Sequence, residues 1–148
     1  MIMTPIRFCA LAALVLTLAA TGCKSSGDKT QIPLTPSGFP EVILHSQTVD
    51  GVKVVAEEFF KGRGYTERES RHAYEFVFDK AEPGHANRAL RVVLRLQKQT
   101  DGSWRLIGIP MGVEGWHSEF ESTKIVPQGM SQIQAFIVEI KARLEQPK

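Results

Sequence analysis

The apolar positions of this chain change period several times, and each change predicts an element. Glu41 to His45 is a short apolar run sized for a buried strand. Val49, Val52, Ala56, Phe59 and Phe60 then recur on one face of a helix. Ser46 or Thr48 is placed to cap its start, and Gly62 and Gly64 can end it. From Arg71 the period falls to two, with Tyr74, Phe76 and Phe78 opposite Glu75, Val77 and Asp79, as in a strand. Lys80 to Asn87 contains Pro83-Gly84 and reads as a loop. Arg88 to Lys98 is a strand with Leu90, Val92, Leu94 and Leu96 on one face and Arg91, Arg95 and Gln97 on the other. Asp101-Gly102 predicts a hairpin into a returning strand, Trp104 to Ile109. Pro110 to Gly115 should break that strand, and Trp116 to Val126 alternates again. From Gln128, Met130, Ile133, Ile137, Ile140 and Leu144 follow helical spacing, with Ser131 and Gln134 available as a capping box.

The order is β-α-β-β-β-β-α. One apolar sheet face needs a cover and two helices supply it, so the expectation is a two-layer α+β domain over residues 41–148, with about four to five antiparallel strands. This order resembles the TBP-like or helix-grip architecture; a cystatin-like sheet wrapped on one helix is the alternative.

The N-terminus has a different logic. Arg7 precedes an apolar stretch, Phe8 to Ala20, that is shorter than the roughly 20 residues a membrane span needs. It has the form of a signal peptide, residues 1–22, and the small Ala20 and Gly22 also suit ordinary signal-peptidase cleavage, which would release a secreted protein with an incidental Cys23. Ala20-Thr21-Gly22-Cys23 resembles the bacterial lipobox, although the family pattern prefers Leu where Ala20 stands. The resemblance implies acylation of Cys23, which becomes the mature N-terminus, and Lys24 after it implies an outer-membrane destination facing the periplasm. Residues 24–40, KSSGDKTQIPLTPSGFP, have the composition of a flexible linker. Cys9 leaves with the signal, so the mature chain keeps Cys23 alone and can form no internal disulfide.

Charge excludes little. Of 18 Lys and Arg residues Arg7 is removed, leaving 17 against 16 acidic side chains. Arg88, Arg91 and Arg95 are interrupted by apolar residues and read as a solvated sheet face, not a nucleic-acid surface. His45, His72, His85 and His117 include no pair at zincin spacing; His117, Glu119 and Glu121 could share a strand face, a pattern an exposed polar face also produces. Glu57 and Glu58 point apart on a helix, and no nucleophile elbow or phosphate loop is present. Gly62-Arg63-Gly64 follows a helix, whereas phosphate loops open one. No catalytic residue, metal or cofactor is therefore expected.

The distinctive surface candidate is GIPMGVEGW, Gly108 to Trp116, read as a loop that offers Ile109, Met111, Val113 and Trp116 to a partner. The expectation is a membrane-tethered, non-enzymatic interaction module with an envelope protein partner. The alternative is a carrier of a small hydrophobic ligand, held between sheet and final helix by Tyr74, Phe76, Leu94, Ile133 and Ile137.

Overall fold

The computed structural model describes residues 35–146. The signal peptide and Cys23 lie outside that range. The described chain is an α+β domain: an open antiparallel sheet of six strands with two helices. Its elements are β1 (Glu41–Leu44), α1 (Val49–Lys61), β2 (Thr66–Arg68), β3 (Glu75–Ala81), β4 (Arg88–Lys98), β5 (Trp104–Glu114), β6 (Ser122–Ile125) and α2 (Met130–Leu144). The strand order is β1-β5-β4-β3-β2, and β6 also pairs with β5. β1 takes Trp104–Ile107 of β5, and β6 takes Met111–Glu114. Both lie on the edge of β5 opposite β4, end to end.

The helices cover one face. Val52, Ala56, Phe59 and Phe60 of α1 and Ile133, Ile137 and Ile140 of α2 bury against Phe76, Phe78, Val92, Leu94, Leu96 and Leu106. Phe60 stacks on Phe78 at 4.5 Å between ring centroids and meets Phe59 and Tyr65 edge-on at 5.2 Å. α2 comes so close to β5 that a methyl at Gly108 would overlap Cγ2 of Ile133 and touch Cγ2 of Ile137 at 3.3 Å.

The helix ends follow local chemistry. Thr48 Oγ1 accepts the Gly51 N–H at 3.1 Å and caps α1. At the other end the Tyr65 N–H reaches the Phe60 carbonyl and the Gly64 N–H the Lys61 carbonyl, each at 3.0 Å. This double bond pattern needs the left-handed residue that Gly64 supplies at φ +78°. Thr48→Ala should lower stability by about 1 kcal/mol, read as an earlier urea midpoint with an unchanged slope. An unmoved midpoint would mean that water replaces the hydroxyl fully.

Three expectations are corrected. β5 does not stop at Ile109 but runs through Pro110 to Glu114. The Gly108 N–H bonds Pro40 O and Pro110 O accepts from Val126 N–H, so these alternate residues face the edge shared by β1 and β6. Proline's missing N–H falls at the junction where β1 has ended, and no ladder bond is lost there. Second, residues 116–121 form a turn, and only Ser122–Ile125 pairs as β6. Third, no capping box forms on α2. A 3₁₀ turn, Pro127–Gly129, runs directly into the helix, which starts at Met130 without a side-chain cap. The short β2 was not foreseen and brings the sheet to six strands. Composition assigns Thr35–Pro40 to the linker, yet it forms a turn against the sheet: Thr35 Oγ1 donates to Phe39 O at 2.6 Å and Ser37 Oγ to Glu41 at 2.5 Å.

Candidate functional site on the open sheet face

Strand alternation sends every second side chain away from the helices. Val77, Val93, Ile107 and Ile109 form a separate apolar cluster there, with Phe39 and Met111 packed against it. Among the described residues no helix lies on this face, and Phe39, from the segment before β1, packs across its apolar cluster.

Beside this cluster lies a charged clasp. Asp79 and Arg91 are cross-strand partners and both are buried. Arg91 donates through Nε and Nη2 to the two oxygens of Asp79, at 2.6 and 2.7 Å. The Trp116 indole N–H reaches Asp79 Oδ2 at 3.1 Å, and Arg68 Nη1 approaches it at 3.4 Å. Glu121 takes Arg68 at 2.9 Å and an ion pair with Arg91 at 3.0 Å. Two guanidiniums and two carboxylates thus tie β2, β3, β4 and the 116–121 turn together. Burial alone would raise the Asp79 carboxyl; hydrogen bonds and charge from Arg91, the indole and Arg68 outweigh it and hold Asp79 below the ordinary carboxylate range. Glu121 is held low by the same balance of burial against Arg68 and Arg91.

A groove of about 300 Å³ opens on this face. Val77, Val93, Ile109 and Met111 supply its apolar part, and Arg68, Arg71 and Arg95 stand around it.

Three of the four residues expected in a binding loop fall elsewhere. Ile109, Met111 and Val113 belong to β5, not to a loop. Ile109 is buried in the open-face cluster, Met111 packs beside it, and Val113 is buried opposite Ala89. Trp116 does sit in a turn, but its backbone N–H is held by Asn87 O at 2.9 Å and its indole by Asp79. Its polar edge is committed to the fold. The structure brings Ile109 and Met111 together at the groove and leaves Val113 and Trp116 as supports.

Other candidates resolve into ion pairs. Arg88, Arg91 and Arg95 pair with Glu82, Asp79 and Glu75 respectively. Glu121 turns to Arg68 and Arg91, while His117 and Glu119 are exposed in the turn. Among the described residues no three His, Cys, Asp or Glu side chains converge as a metal site. Of the proposed cavity residues, Phe76, Leu94, Ile133 and Ile137 form the packed core, and Tyr74 is exposed.

Sequence reasoning missed Asp79, Phe39, Val77 and Val93. Val77 and Val93 had a signal, since adjacent apolar pairs in a strand, such as Val92-Val93 and Leu106-Ile107, put apolar side chains on both faces; Asp79 and Phe39 had none. Comparison with family models, curated proteins and solved structures finds no match to this chain.

Proposed function

We propose that this chain is a lipid-anchored envelope protein whose domain is a non-enzymatic interaction module at the periplasmic side of the outer membrane. The lipobox-like Ala20-Thr21-Gly22-Cys23 and the linker after it support the address. One observation supports the role: the buried Asp79 and the half-buried Glu121 are both held below the ordinary carboxylate range by arginine. A general acid or base near neutral pH needs a carboxyl pushed upward, and Asp79 and Glu121 are pushed down. Paired charge beside an apolar groove suits contact better than proton transfer.

The test is intact mass spectrometry of the full protein purified gently from its own membranes, first native and then denatured. A mature chain beginning at acylated Cys23, carrying a protein partner that leaves on denaturation, is the expected result. A free thiol would overturn the anchor. A released small molecule in place of a protein would overturn the interaction role in favour of a carrier. Met111→Ala is the better probe of the partner contact, because Trp116→Ala also removes a hydrogen bond from Asp79.

A further inference from the structure

On the open face, in every ion pair but Arg91–Glu121, the acidic member is sunk and the basic member is raised. Glu75 is 13% exposed under Arg95 at 55%. Glu121 is 16% exposed and Asp79 5%, under Arg68 at 42%. Glu41 is 11% exposed and Arg105 23%. Among the described residues Arg71 forms no ion pair, and it stands exposed at the groove. Glu69 also lines the groove and is exposed, but Arg68, Arg71 and Arg95 outnumber it toward solvent, so an approaching molecule meets mainly guanidinium donors around an apolar floor.

The chain itself already uses this face. Phe39 packs on the Val77, Val93, Ile107 and Ile109 cluster. Two residues on, Glu41 pairs with Arg105 at 3.7 Å. Phe39, at the bend before β1, and Glu41, the first residue of β1, thus set an apolar side chain and a carboxylate two positions apart on this face. That spacing puts both side chains on one side of an extended backbone.

We propose that the neighbouring groove binds an extended segment of a partner protein with the same apolar-x-acidic pattern, its apolar side chain over Ile109 and Met111 and its carboxylate on Arg71 and Arg95. The proposal rests on the interaction-module reading and names the chemistry of the partner. The site is concave, so a flat bilayer would not reach its floor. It is open, so a small ligand would stay half in water, whereas binding pockets bury most of their ligand.

The probe is a labelled synthetic peptide of repeated Phe-Ser-Glu-Ser, titrated against the full mature chain in zwitterionic detergent. Analogues with Gln or Lys in place of Glu are the controls. The Glu peptide should bind saturably, shift the backbone amides of Val77, Val93 and Met111, and weaken as salt rises. Arg71→Glu should weaken it about five-fold and favour the Lys analogue by a similar factor. Because Arg71 has no described ion partner, this change leaves the clasp intact. Equal binding of the three peptides, or an unchanged preference in Arg71→Glu, overturns the proposal.

The second arm places a benzoylphenylalanine photo-crosslinker at Thr123, beside the groove, or at the exposed Val138 of α2, in the full-length chain in its own cells. Crosslinks from Thr123 to an acidic, apolar protein segment support the groove. Crosslinks to lipid, or to a second copy, overturn it. Protein crosslinks from Val138 alone overturn the groove but keep the interaction module, and none from either position overturns both.

Discussion

Asp79→Ala is expected to lower the unfolding free energy by about 3 kcal/mol, the low end for breaking a buried ion pair. The cause is not the attraction lost but the charge left behind. Arg91 is buried, and without Asp79 it keeps only Glu121. The Trp116 indole also loses its acceptor, so the 116–121 turn should loosen and tryptophan emission should shift, read in a Trp104→Phe background. Urea unfolding checks the size of the effect, and a loss below about 1 kcal/mol would place the clasp with ordinary surface pairs. Replacing both partners, as Asp79→Leu with Arg91→Met, should recover much of the loss because no unpaired charge remains.

The same clasp sets a pH dependence. Asp79 and Glu121 titrate lower in the folded chain than when unfolded. Through that interval the unfolded chain binds more protons, so stability rises with pH. The contribution is fully present above the ordinary carboxylate range near pH 4 and is lost as pH falls through the lower folded values. Asp79→Asn should flatten this acid limb; a limb identical to the parent's would show that Asp79 does not contribute to it.

Gly108→Ala carries the second large effect. Its methyl would enter the space occupied by Ile133 Cγ2, and α2 cannot withdraw without opening the core around Ile137 and Ile140. Overpacking of this kind costs about 1–3 kcal/mol. Ile133→Leu moves the branch off Cβ at nearly constant volume and offers a rescue. Gly108→Ala should cost less in that background, with a coupling of about 1 kcal/mol. Simple additivity would refute the contact as the cause.

The two-layer architecture was legible because one stripe in both helices and in the long strands β3, β4 and β5 is strongly apolar. Phe76 and Phe78, the Val92–Leu96 series and the α2 isoleucines all report the same interior. The Asp101-Gly102 hairpin was legible because its turn chemistry is local: Asp101 holds the Ser103 N–H at 2.9 Å. The length of β5 was not, since Pro110 is tolerated only through the placement of β1 and β6, which no local pattern reports. The site stayed hidden for a similar reason. Arg91 and Asp79 are ordinary charged letters until a register pairs them, and Phe39 sits in a stretch whose composition is that of a linker.

The strand order also has a consequence for how the chain assembles. β2 through β6 each pair with their sequence neighbour and can zip up as they appear. β1 alone must wait for Trp104–Ile107, across α1 and three intervening strands. Such distant pairings close slowly because loop entropy opposes them. A chain emerging from its N-terminus therefore exposes the apolar Glu41–Leu44 segment through most of its synthesis or export, since its partner is made only after α1, β2, β3 and β4.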